Sequence, residues 1–172
     1  RKLLDLGGGH GLYAIAFVQL NPELEAIVFD LPPVVEVTSE FISQYGLEER
    51  VRVMTGDFDS DGFGEGYDVI FVSHSGFYHT KEPIHELLER IYEALNDGGI
   101  LISNHWMIDD GKSSVTFTLW HLWLSILGYP NHVYSKDEFV DLLEEKRFSD
   151  VQMIDIATPE DPSTIVIAKK EA

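Results

Sequence analysis

The chain has 172 residues, with 30 Asp and Glu against 12 Lys and Arg, a formal net charge of -18 and 44% hydrophobic residues. That apolar content builds one real core and argues against disorder, while the charge argues against nucleic-acid binding and against docking on anionic membranes. With no cysteine, disulfides, cysteine-metal sites and thiol catalysis are excluded, and a reducing compartment is permitted.

The chain opens on Arg1-Lys2 and enters an apolar strand pattern at once, without an initiator Met or a signal peptide. It reads as a water-soluble catalytic domain of residues 1–172, taken from a longer protein. Leu3 to Leu6 reads as a short buried strand, Gly7 to Gly11 as a turn and Leu12 to Leu20 as a helix. A second strand, Ala26 to Phe29, closes on Asp30. Pro32 and Pro33 then open a helix to about Tyr45, since proline suits a first helical turn. Val51 to Met54 and Tyr67 to Val72 are the third and fourth strands. Pro83 to Leu95 is helical, with Ile84, Leu87, Leu88, Ile91 and Leu95 on one face, and Gly98-Gly99 is expected to end it. Ile100 to Ile102 is a fifth strand. Val115 to Tyr129 is the most apolar stretch and is too short to span a bilayer. Ser135, with Glu138 three residues on, has the pattern of a helix N-cap. Val151 to Ile156 and Thr164 to Ala168 form the last two strands, expected as a hairpin around Asp161-Pro162-Ser163. The alternation predicts an α/β, Rossmann-like three-layer sandwich on a mainly parallel seven-stranded sheet with a C-terminal antiparallel hairpin. In such sheets ligands bind beyond the carboxyl ends of the strands.

Asp5-Leu6-Gly7-Gly8-Gly9-His10-Gly11 lies between a strand and a helix. Glycines there permit positive φ and close backbone approach to a ligand. A purely structural turn is the plain alternative, yet four glycines in five residues exceed what a turn needs. The dinucleotide fingerprint places its third glycine three residues after its second. Here the spacing is Gly7, Gly9, Gly11, with Leu12 where that fingerprint requires glycine. No Lys-Ser/Thr follows, which excludes a phosphate-binding P-loop. Asp30 ends the second strand, where a carboxylate can accept both ribose hydroxyls; its alternative is a favourable charge at a helix N-terminus. Asp57 ends the third strand and could accept from an adenine amino group with Phe58 against the ring, although turn chemistry explains Asp59 and Asp61 equally well.

The G-x-G-x-G turn preceded by Asp5 resembles motif I of class I S-adenosylmethionine-dependent methyltransferases. Together with Phe29-Asp30-Leu31-Pro32, Gly56-Asp57-Phe58, Ile91 to Leu95 followed by Gly98-Gly99, and Ser135 to Phe148, the chain resembles the catalytic domain of the plant-type and hydroxyindole-type small-molecule O-methyltransferases. The resemblance implies an S-adenosyl-L-methionine site at Asp5, Gly7, Gly9, Asp30, Leu31, Asp57 and Phe58, with Ser73 and His74 at the methionine end. It implies a small, flat, aromatic hydroxyl acceptor, no metal, no nucleic acid or membrane partner, a homodimer and a cytoplasmic location, and an N-terminal dimerisation domain that this chain lacks. The aromatic run Phe117 to Leu127 falls where that family lines its acceptor pocket and contributes to its dimer.

The base departs from the family pattern. Phe77 stands at the position of the family's His, with His74 three before it and His79 two after. The counterparts of the two acids that orient that His fall at His105 and near His132-Val133. His79 is the first expectation for the base, since it lies at the sheet's functional end and imidazole titrates near neutrality; His105 is the second. His85 and His121 fall within helical stretches and read as structural. Methylation of carbon or nitrogen, another use of the same cofactor, a cofactor-binding domain without turnover and a nicotinamide dehydrogenase are the rival readings.

Overall fold

The computed structural model describes residues 1–75, 81–108, 115–128, 132, 134–156, 158 and 163–171. His79, Phe77 and Val133 lie outside the described residues.

Among the described residues, seven strands form one sheet: β1 (Lys2–Leu6), β2 (Glu25–Asp30), β3 (Val51–Thr55), β4 (Tyr67–Ser73), β5 (Leu95–Trp106), β6 (Phe148–Asp155) and β7 (Ser163–Lys170), in the spatial order β3-β2-β1-β4-β5-β7-β6. The pairings among β1 to β5 are parallel, and β7 runs antiparallel to both β5 and β6. The expected mainly parallel sheet with a closing hairpin is therefore present. The helices are α1 (Leu12–Leu20), α2 (Pro32–Gln44), α3 (Lys81–Ala94), α4 (Val115–Ile126) and α5 (Lys136–Glu145).

Residue alternation on the strands sends successive side chains to opposite faces of the sheet. Leu3 and Val28 pack with Ala14, Ile15, Val18 and Ile42 beneath α1 and α2. Leu4, Leu6 and Phe29 pack with Ile84, Leu88, Ile91 and Phe139 beneath α3 and α5. Each fully buried side chain of this size stabilises the fold by roughly 1.5–3 kcal/mol. Asp5 falls on the α1 face with Leu3, which places a carboxylate inside an apolar layer. Ser135 caps α5 as expected, accepting from Glu138 N at 3.2 Å.

Gly98-Gly99 does not terminate the helix but lies inside the strand that follows it. The helix α3 stops at Ala94, and β5 begins at Leu95, which pairs with Tyr67. The ladder is broken between that pair and Val69↔Ile100, and Gly98 sits in the break at φ 76. A Cβ on Gly99 would lie 2.8 Å from Asn96 O, so the glycines serve an irregularity in the strand. The strand β5 also runs on to Trp106, because β7 pairs with it as far as Trp106↔Ser163.

Candidate functional site

The order of strands reverses between β1 and β4, the switch point at which such sheets open a crevice. The glycine turn leaves β1 there, and Ser73 to Ser75 leave β4 beside it. Ser75 Oγ donates to Leu6 O at 3.2 Å and would meet a Cβ on Gly7 at 2.8 Å. Gly7, Gly9 and Gly11 all have positive φ, at 70°, 55° and 73°. Nothing lies within 4 Å of a Cβ built on Gly9, so this stretch of backbone faces open space.

Three polar side chains pin the turn from other elements. Asp30, at the end of β2, accepts from Gly9 N at 2.8 Å through Oδ2 and from Leu31 N at 2.8 Å through Oδ1. Each oxygen keeps a further lone pair for a ligand hydroxyl. Thr38 of α2 donates to Gly9 O at 2.6 Å. Asp5 lies beneath the turn, 1% exposed, and accepts from Ala14 N at 3.2 Å in the first turn of α1. Burial raises its pKa to about 7, an effect opposed by the Ala14 bond and reinforced by Asp30. Gly8 makes room for it, since a Cβ there would sit 2.6 Å from the Asp5 carboxyl carbon. Asp5 thus supports the turn from below, while Gly7, Gly9 and Asp30 line its outer side.

Leu31 is exposed at the N-cap of α2, an apolar surface next to Asp30. Asp57 is exposed and closes an acidic turn: its Oδ1 accepts from Asp59 N at 2.9 Å, and its own N–H donates to Asp61 Oδ2 at 2.9 Å. The turn chemistry expected for Asp59 and Asp61 is present, and the second oxygen of Asp57 keeps its lone pairs. Phe58 follows, half-buried.

Beyond β4, His74 is exposed with φ 49, a conformation uncommon outside glycine and concentrated at functional sites. Its Nε2 lies 3.3 Å from Asn104 Nδ2 and 3.4 Å from Ser163 Oγ, and Asn104 Nδ2 also donates to Ser73 Oγ at 3.2 Å. The His74 ring meets Trp106 edge-on at 5.9 Å. From Trp106 an aromatic series continues to Trp120 at 6.2 Å and to Trp123 at 5.1 Å beyond it. Trp106, Thr116, Leu119, Trp120 and Trp123 line a cleft of about 360 Å³. Size alone does not locate a site in this molecule. A cavity of about 570 Å³, lined by Arg1, Leu3 and Val69, lies at the opposite end of β1 from the glycine turn.

His105 is 2% exposed, with its ring 4.6 Å from that of Phe139. Burial lowers its pKa to about 3, and nearby His74 adds to the effect. It is neutral at pH 7, and its conjugate acid is too strong to hold a proton taken from an acceptor. Near the position of the family's second acid, His132 Nε2 lies 3.1 Å from Glu138 Oε1. The capping pattern at Ser135 does not reveal this contact of the Glu138 carboxylate. Spacing along the chain does not reveal Thr38 either. The available signal there was a hydroxyl on the apolar stripe between Val35 and Ile42, where burial demands a polar partner. Among the described residues, no group of three His, Asp or Glu is placed to hold a metal ion.

Comparison with known proteins identifies the family of the domain. The family model described as an O-methyltransferase domain matches residues 1–149. An uncharacterized protein of Methanocaldococcus jannaschii is 48% identical over 109 residues, covering 63% of this chain and 28% of that protein. The L-tyrosine C(3)-methyltransferase of Streptomyces lavendulae is 33% identical over 98% of this chain and 47% of its own length. The crystal structure of the S-adenosylmethionine-dependent methyltransferase SibL in its apo form superimposes with a TM-score of 0.86 at 26% identity, over 100% of this chain and 51% of SibL. The chain spans about half the length or less of these relatives. With a mainly parallel sheet, a pinned glycine turn and a family match over most of its residues, the chain belongs to the O-methyltransferase domain family.

Proposed function

We propose that residues 1–172 form a catalytic domain that binds S-adenosyl-L-methionine at the glycine turn and directs its methyl group to a hydroxyl of a small aromatic molecule. The observation that carries this reading is the Gly9 backbone, which faces open space while Asp30 and Thr38 hold it in place. The residues fit the cofactor's parts. Gly7 and Gly9 allow close approach, Asp30 can accept from ribose hydroxyls, and Leu31, Asp57 and Phe58 offer an apolar and an accepting edge for adenine. Ser73 and His74 stand on the methionine side. When bound, the cofactor supplies an electrophilic methyl group on a sulfonium centre.

The chain's own share is positioning and proton removal. His79 is the proposed base. His105 is the weaker candidate, because burial makes it a poor proton acceptor. The aromatic cleft at Trp106, Trp120 and Trp123 supports a flat acceptor. The exposed apolar side chains of α4, among them Leu119, Trp123 and Ile126, support a homodimer. The cysteine-free composition is compatible with a cytoplasmic location.

Calorimetry with S-adenosylhomocysteine tests the cofactor assignment: saturable binding is expected, and binding of NAD in its place overturns it. With an acceptor identified from a phenol and indole screen, His79→Ala is expected to abolish turnover; full activity refutes the base assignment. One further reading has specific support. A C-methylating relative is similar over 98% of the chain, and Phe77 stands where the family's His is expected. NMR of the methylated product separates the two, since ring methylation gives a C–CH3 signal and O-methylation a methoxy signal.

A further inference from the structure

The acidic turn after β3 is built with a problem that its own residues do not solve. Asp57, Asp59 and Asp61 put three carboxylates into five residues, and like charges at this spacing favour an extended, repelled chain. The turn nevertheless closes tightly: Ser60 N and Asp61 N both donate to Asp57 O, at 3.1 and 2.6 Å. Arg90 reaches this turn from α3, across 32 residues of sequence. Its Nη1 donates to Phe58 O at 2.5 Å, and its Nη2 donates to Asp61 O. The guanidinium carbon lies 4.9 Å from the centre of the Phe63 ring, which is itself buried against Phe29. One side chain therefore grips the turn at its start, its end and its exit.

We propose that Arg90 is a positioning residue for the adenosine half of the cofactor, acting through the backbone of residues 57–61; this rests on the cofactor reading given above. The planar guanidinium spans two carbonyls three residues apart, which a single ammonium cannot do at once. Fixing the Phe58 carbonyl fixes the backbone that carries the Phe58 ring and the Asp57 carboxylate, the two groups assigned to adenine. Arg90 contributes to the site without facing the ligand, and it does so from α3, 32 residues along the chain from Phe58, so a pattern search along the chain passes over it.

The test compares wild type, Arg90→Met and Arg90→Lys by calorimetry with S-adenosylhomocysteine and with adenosine, at a temperature where circular dichroism finds all three folded. Arg90→Met is expected to weaken both ligands by the same factor, about tenfold or more, and Arg90→Lys by less, because its ammonium retains one carbonyl. In the ligand-free protein, hydrogen exchange at the Ser60 and Asp61 amides is expected to quicken in Arg90→Met. Unchanged affinity in Arg90→Met refutes the positioning role, and so does weakened S-adenosylhomocysteine with unchanged adenosine, which would place the effect at the methionine end. A lowered melting temperature with unchanged affinity and exchange marks a structural role only. Failure of wild type to bind S-adenosylhomocysteine overturns the cofactor reading instead, and the exchange comparison still decides whether Arg90 holds the turn.

Discussion

Gly9→Ala separates what the glycine turn does for folding from what it does for a ligand. The residue sits at φ 55, and nothing lies within 4 Å of the added methyl group. The folded state then pays only the left-handed conformation, roughly 1–2 kcal/mol for a residue with a Cβ. About 0.4–1 kcal/mol of that is recovered, because alanine also restricts the unfolded chain. The net loss is about 1 kcal/mol, which in a domain of this size lowers the melting temperature by about 2–4 °C. The methyl nevertheless projects into the space assigned to the cofactor, so S-adenosylhomocysteine affinity is expected to fall at least about tenfold. Differential scanning fluorimetry and calorimetry on the same sample measure both quantities. Gly8→Ala is the control with the opposite signature. Its methyl would lie 2.6 Å from the Asp5 carboxyl carbon and 2.8 Å from Val28 Cγ1, both packed in place, so it loses stability first. Gly9→Ala binding S-adenosylhomocysteine as tightly as wild type would refute the placement of the ligand over this backbone.

Gly56→Ala would put a Cβ 2.5 Å from Phe29 Cζ, and the overpacking is expected to cost about 1–3 kcal/mol in urea denaturation; an unchanged midpoint contradicts the packing described. Ser135→Ala removes the cap that accepts from Glu138 N and is expected to cost about 1 kcal/mol, read as a melting shift of about 2–4 °C. The His105 imidazole, with its pKa lowered to about 3 by burial, is expected to stay neutral in NMR titration from pH 7 to pH 4, and an inflection near 6.5 contradicts its burial.

The sheet and the glycine turn with its Asp30 contact were legible because both are written in local sequence. Strand alternation, glycine spacing and an acid at each strand end are short-range signals, and parallel pairing then brings Gly9 and Asp30 together. Thr38 and Arg90 were not legible, because each acts from the middle of a helix on a turn reached only through the packing of α2 or α3. Gly98-Gly99 was misplaced for a related reason. A glycine pair after a helical stretch reads as a terminator, and only the Tyr67↔Leu95 pairing reveals that a strand has already begun. The cleft proposed for the acceptor is less local still. It depends on Trp106 of β5 and Trp120 of α4, and on histidines displaced from the family's positions, so spacing along the chain does not specify how they meet.

Asp5 shows how the turn's support is coupled to protons. Its carboxyl has a folded pKa raised from 3.8 to about 7, with burial as the leading cause. The folded state therefore binds a proton that the unfolded state has released between about pH 4 and pH 7. Stability from this group is full below pH 4 and is lost as pH rises through 7, by up to about 4 kcal/mol for a shift of this size. Asp68 and Asp155 work in the other direction: their pKa values are lowered, Asp68 first by the Lys2 backbone bond and Asp155 first by Lys136, so their contributions are lost as pH falls. The measurement must therefore be a difference. Urea midpoints of wild type and Asp5→Asn, taken every half unit from pH 4.5 to 7.5, isolate the group. The asparagine keeps an oxygen for Ala14 N–H but carries no charge at any pH. The variant is expected to gain on wild type steadily as pH rises across that range. A constant difference would mean that Asp5 is ionised throughout in the folded protein, with its charge compensated under the turn, and the account of a neutral carboxyl supporting the glycine loop would fall.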